Sequence, residues 1–199
     1  MILAVAVLFS VVLWTHCLHY TDVQPQQDFD LEQFAGSWYR VGMAYESPSF
    51  IKYKDRALIS KGFVVANENG SANLSMWTMT GPKICLTNFY MYEKTDVPGL
   101  FTYFSQRHKM MKDITVVEAN YTDYAMVLKY KKMEKEYTQV ALYGRTPTVG
   151  PEVVEKFRSY ALSLGFSPEA IVTPVILDPC PIPEPPTSRP PTNTTEEPV

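Results

Sequence analysis

The chain has 199 residues, 46% apolar and 20% charged, with a formal net charge of −3. That length suggests one domain or at most two, in a balance ordinary for a globular protein. A collagen, a wholly disordered chain and a multi-span membrane protein are excluded, and the basic excess of a nucleic-acid binder is missing.

The first segment, Ile2 to Trp14, is an apolar run of 13 with Ser10 its only polar residue. A bilayer span needs about 20 such residues, so the run reads as the hydrophobic region of a secretory signal peptide over residues 1–17. Eight β-rich segments follow between turn signals: Ser37 to Ala44, Ala57 to Ala66, Asn73 to Thr80, Ile84 to Glu93, Leu100 to Ser105, Ile114 to Ala119, Tyr124 to Lys131 and Tyr137 to Gly144. Asn69-Gly70, Gly81-Pro82 and Pro98-Gly99 separate several of them. Regularly spaced short strands argue an all-β antiparallel barrel or sandwich. After Gly150-Pro151 the period changes. Val153, Val154, Phe157, Tyr160, Ala161 and Leu164 recur at helical spacing, and Gly165 suits the stop. A second helix start at Ser167-Pro168-Glu169 leads into a short strand at Ile171-Val172. From Pro181 to Val199 there are seven Pro in 19 residues, a composition that cannot bury enough apolar surface to offset its ordering entropy. Residues 181–199 are expected to be a disordered tail, leaving residues 20–180 for the folded domain.

Loss of the signal peptide would remove Cys17. Cys85 and Cys180 remain, an even pair in a secreted chain, for which a disulfide is the simplest reading. Asn69, Asn73, Asn120 and Asn193 each open an Asn-x-Ser/Thr sequon, the acceptor pattern for N-linked glycans. Asn69, Asn73 and Asn193 are the candidates. Asn120 is set aside, because it falls in a motif of the family resemblance that implies a turn at the closed end occupying its side chain.

Three motifs carry a family resemblance. Gly36-Ser-Trp38, Ala119-Asn120-Tyr121 and Leu142-Tyr143-Gly144-Arg145 resemble the three signature motifs of the lipocalins, in the right order and spacing. Within that family the chain is similar to the alpha-1-microglobulin branch, on Tyr92 to Asp96, Asn120-Tyr121, Leu142 to Arg145 and Gly165 to Glu169. The resemblance implies an eight-stranded up-and-down barrel with one C-terminal helix. It implies Trp38 closing one end, with Arg145 lying across its face. The protease-inhibitor domains that follow in that branch's precursor have no counterpart in these residues, and no inhibitor activity is expected.

A barrel of eight strands is wide enough for one small ligand. The expected partner is a hydrophobic molecule (a retinoid, a fatty acid or similar), with no cofactor, no metal and no membrane span. Inward candidates on the fifth strand are Phe101 and Tyr103, or Leu100 and Phe104. On the seventh they are Met126 and Leu128, or Val127 and Lys129, since a register slip of one exchanges the faces. Met43, Trp77, Phe101, Tyr103 and Met126 are the expected ligand-lining set, with Tyr45, Phe50, Met79, Phe89 and Met91 as further apolar candidates. Arg107 to Lys112 is read as an exposed basic turn.

The family also contains enzymes. Its prostaglandin isomerase branch uses a barrel thiolate at the position of Lys61. The alpha-1-microglobulin branch uses a thiol for haem and radical chemistry at the position of Ser47. Neither position carries a thiol here, and a hydroxyl without an adjacent base is a poor nucleophile. The expectation is a non-enzymatic, secreted carrier, with a scavenger or isomerase as the alternative.

Overall fold

The computed structural model describes residues 22–79, 84–106, 109–131, 137–178 and 180–181. Residues 1–17, read above as a signal peptide, lie outside the described residues. So do the tail beyond Pro181, Arg107, His108 and Asn193. A short helix α1 (Leu31–Phe34) precedes β1 (Gly36–Tyr45). Then come α2 (Pro48–Tyr53), β2 (Ser60–Ala66), β3 (Ala72–Met79), β4 (Cys85–Lys94) and β5 (Leu100–Ser105). The chain continues through β6 (Met110–Ala119), β7 (Tyr124–Lys131), β8 (Tyr137–Gly144), α3 (Pro151–Ser163) and β9 (Ile171–Val172).

Each of β2 to β8 pairs antiparallel with the next, and β1 pairs with both β8 and β2, which closes the barrel. β9 is a two-residue addition along β1. All eight expected strands are present. Two differ in extent by more than one residue at an end. The second begins at Ser60 because Pro48–Tyr53 is helical and Lys54–Arg56 forms a 3-10 turn, with the Ser47 side chain capping α2 by accepting from Phe50 N. The sixth begins at Met110, so Met110 to Lys112 belongs to a strand and not to an exposed basic turn.

Two apolar clusters divide the molecule. One fills the closed half of the barrel and includes Trp38, Leu74, Phe101, Ile114, Val127 and Tyr143. The other lies outside the wall, where Val41, Met126, Leu128, Val140 and Leu142 meet Val153, Phe157 and Ala161 of α3. The helix approaches closely because Gly42 has no side chain: a Cβ there would stand 3.0 Å from the Phe157 ring and 3.1 Å from Leu142 Cβ.

The segment after β9 runs across β2 and β3. Ile59 N donates to Ile176 O and Asp178 N to Ile59 O, while Met79 N donates to the buried Asp178 carboxylate. Cys85 and Cys180 are joined as a disulfide with Cα atoms 5.6 Å apart, across a separation of 95 residues. Closing so long a loop removes enough unfolded-state entropy for a contribution of up to about 4–5 kcal/mol.

Candidate functional site

Alternation along the strands decides what faces the lumen. Ala125 and Val127 of β7 belong to the interior cluster, as do Ile114 and Val116 of β6 and Ala141 and Tyr143 of β8. On β1 a bulge between Arg40 and Gly42 shifts the register. Trp38 and Arg40 face inward before it, and Met43, opposite Ala141, faces inward after it.

The end nearest α1 is shut. Trp38 is buried, its indole N–H donates to Phe34 O at 2.8 Å, and the Arg145 guanidinium carbon lies 3.8 Å from its ring centroid. Arg145 also donates to the carbonyls of Tyr121 (2.7 Å), Ala35 (2.9 Å), Ser37 (2.9 Å) and Gln33 (2.7 Å). A planar, delocalised cation with five donors suits this position, since it stacks and bonds at once. The Asn120 side chain accepts from Asp123 N and Tyr124 N, and the Tyr121 hydroxyl accepts from Asp30 N. Above this floor is an apolar cavity of about 20 Å³, room for roughly one water.

The middle layer is polar. Arg40 donates to the Oγ of the fully buried Ser60 at 2.8 Å. Lys129 reaches across from β7 until its ammonium stands 5.2 Å from the centroid of the Tyr90 ring. Tyr90 packs edge-on against Tyr103, at 5.3 Å between centroids, and Tyr103 against Tyr92 at 6.0 Å. Burial, reinforced by the charge of Arg40, pulls the Lys129 ammonium down from 10.5 to about 7. Burial pushes Tyr92 well above the ordinary phenol value and raises Tyr143 as well.

Towards the opposite end the barrel opens into a pocket of about 300 Å³. Arg40, Met43, Ser60 and Thr78 form its inner wall, and Phe50 and Tyr53 overhang it from α2. Pockets for small molecules begin at about this volume.

Residues 35–177 match the Lipocalin / cytosolic fatty-acid binding protein family. The chain is a lipocalin. It is 30% identical over 155 residues to Protein AMBP of Bos taurus, covering 76% of this chain and 44% of that one. It therefore spans less than half of that relative. It is 30% identical over 175 residues to a protein named Lipocalin from Rhinella marina (86% of this chain, 94% of the relative). It is 31% identical over 149 residues to Prostaglandin-H2 D-isomerase of Mus musculus (74% and 78%). Among solved structures, the siderocalin Ex-FABP superposes with a TM-score of 0.66 at 21% identity, over 79% of this chain and 99% of that one, a likeness of fold.

Of the five residues expected to line the lipocalin cavity, three face inward. Met43 borders the mouth, Phe101 the apolar floor, and Tyr103 the middle layer. The other two do not join them. Met126 belongs to the cluster under α3, and Val127 with Lys129 form the inward face of β7. Trp77 follows the inward Met76, so it points outward; its register partner Lys61 donates to Cys180 O in the C-terminal segment. Phe89 and Met91 are exposed, at 73% and 68%. Lys61, at the isomerase thiolate position by resemblance, is thus on the outer face, and the inward neighbour is Ser60. Asn69 and Asn73 are exposed, and the Asn69 side chain accepts from Ser71 N. Arg40 was not among the sequence candidates. Its signal was its place two residues after Trp38, which puts both on one face of β1.

Proposed function

We propose that this lipocalin is a secreted, non-enzymatic carrier of a small hydrophobic ligand, held at the open end of the barrel. The observation that carries this reading is the contrast between the two ends. One is sealed by Trp38 and Arg145; the other opens into a pocket of about 300 Å³ walled partly by Met43 and Phe50. Export is supported by the Cys85–Cys180 disulfide, by the apolar N-terminal run read as a signal peptide and by the sequons at Asn69, Asn73 and Asn193.

An isomerase is the competing reading, because several relatives are named Prostaglandin-H2 D-isomerase. Against it, both described cysteines are bonded to each other, and the inward neighbour of Lys61 on β2 is Ser60, whose hydroxyl oxygen accepts from the Arg40 guanidinium, a cation that cannot take up its proton. Against a thiol-based scavenger, Ser47 is the cap of α2.

Native mass spectrometry of the protein from its source fluid tests the carrier. The expected spectrum shows one small apolar molecule per chain, released on denaturation. A ligand-free mass, with no uptake of apolar compounds afterwards, would overturn the reading.

A further inference from the structure

Helix α2 and the turn after it set cations and apolar side chains side by side at the lip of the barrel. In Ile51-Lys52-Tyr53-Lys54-Asp55-Arg56, Ile51 and Tyr53 are exposed. The Lys52 ammonium stands 5.3 Å from the centroid of the Tyr53 ring, and the Arg56 guanidinium 5.5 Å. Neither cation makes an ion pair among the described residues. The rest of the lip is similarly apolar. Ile84 and Leu86 are exposed where β4 begins, and Ile176 is 64% exposed where the C-terminal segment passes Ile59. On the adjoining outer wall Phe104 and Met111, register partners near the mouth ends of β5 and β6, are exposed as well. Soluble proteins seldom gather so many exposed apolar side chains at one end without something to cover them.

Charge is sorted along the same axis. At the sealed end, α1 and the turns hold Asp28, Asp30, Glu32, Glu68, Asp96 and Asp123, and Arg145 there is committed to the plug. At the mouth, Lys52, Lys54, Arg56 and Lys109 stand against Glu46, Asp55 and Glu169. Glu46 accepts from Ser167 N, and the buried Asp178 carboxylate accepts from Met79 N and Cys180 N. In sequence, the link from β3 to β4 adds Lys83 and that from β5 to β6 adds Arg107, while Lys132 and Lys135 before β8 are matched by Glu134 and Glu136. A ten-residue strand such as β1 spans roughly 30 Å, and charges in physiological salt are screened over about 8 Å. A surface at the mouth therefore meets the cations and hardly feels the acids at the far end, whatever the net charge.

We propose that the mouth end is a docking surface for an anionic phospholipid bilayer. Ile51, Tyr53 and Ile176 enter the headgroup layer, where a tyrosine ring with one apolar and one wet end is well suited. Lys52, Lys54 and Arg56 lay their stems along that apolar surface and keep their charged heads at the phosphates. A bilayer fits better than a protein because the cations surrounding Tyr53 need no fixed counter-charge, only a diffuse layer of anions. Docked this way, the pocket opens onto lipid. The surface acts whether or not the pocket is filled, so it goes beyond the carrier reading and stands apart from it.

The test uses ligand-free protein and unilamellar vesicles of phosphatidylcholine, alone or with about 30% phosphatidylserine. An environment-sensitive NBD fluorophore is attached to one added thiol, at Ile51→Cys on the lip or at Val97→Cys in the turn at the sealed end. Co-sedimentation is expected to be about tenfold or more stronger on the phosphatidylserine vesicles, and to be lost in about 0.5 M salt. NBD at position 51 brightens and shifts to the blue on binding, and NBD at position 97 stays unchanged. The triple variant Lys52→Gln, Lys54→Gln, Arg56→Gln falls to the level of phosphatidylcholine alone, and Ile51→Ser with Ile176→Ser weakens binding to both kinds of vesicle. Near-UV circular dichroism checks that each variant keeps its packed core, and uptake of N-phenyl-1-naphthylamine in parallel reports on the carrier separately. Protein that takes up the fluorophore but ignores anionic vesicles would overturn the docking surface and leave the carrier standing. Vesicle binding with the blue shift at position 97 would overturn the mouth-first orientation. A blue shift at position 51 without vesicles, growing with protein concentration alongside a dimer mass, would give the face to a second copy and overturn the proposal.

Discussion

A lysine ammonium inside a barrel keeps its proton only if something there replaces the water it has lost. Lys129 has an aromatic face and an arginine for company, and the result is a pKa near 7. The sign of the linked stability follows. Between about 7 and the ordinary lysine value of 10.5, the unfolded chain binds a proton that the folded chain has released. Unfolding therefore becomes harder as pH rises through that window, and the burden of the buried charge is fully present below it. Tyr90, Tyr92 and Tyr143 face the same space with raised values, so their own effect enters only above 10. Urea unfolding of the ligand-free protein between pH 7 and 9.5 is expected to show a rising midpoint for the wild type relative to Lys129→Met. Parallel curves for the two proteins would contradict the assignment of Lys129 to the lumen. The sequence carried half of this. It offered Val127 with Lys129 as one of two faces for β7 but had no means of choosing, because Met126 and Leu128 are equally apolar and are covered by α3.

Elements were easier to read than faces. The strands announce themselves through β-rich runs between Gly, Pro and Asn turns, and α3 through its 3.6-residue period and its bounding Pro151 and Gly165. What alternation leaves undecided is which side another element covers. Trp77 is apolar and buried, as a lumen residue would be, yet it lies on the outer side with Lys61, which bonds the C-terminal segment. The bulge in β1 is equally silent in the sequence, though it brings both Arg40 and Met43 inward. Helix α2 has six residues, too few for a period to show, and only Ser47-Pro48 hints at its start. The closed end was legible because it depends on rare residue types in fixed order. There Arg145 ties together four backbone carbonyls from α1, the start of β1 and the turn before β7. Arg145→Lys keeps the charge but loses the fork, leaving several of these carbonyls without a donor. A loss of about 1–3 kcal/mol in chemical denaturation is expected. A variant as stable as the wild type would show that the plug acts through charge alone.

At the scale of the whole molecule, the barrel is graded from end to end. The floor is sealed and apolar, the middle is cationic and phenolic, and the mouth is open and mostly apolar. The disulfide and the C-terminal segment brace the outside of β2 to β4, and α3 braces β7, β8 and β1, so the walls of the pocket are held from both flanks. Such a gradient fits a small guest taken up at the open end and held above the sealed floor. The position of a single heavy atom decides this most directly. In crystals grown with 1-bromonaphthalene, a compact apolar ligand, the anomalous signal of bromine is predicted at the mouth, beside Met43 and Phe50. A bromine beside Trp38 at the sealed end, or on the exposed face around Phe89 and Met91, would contradict it.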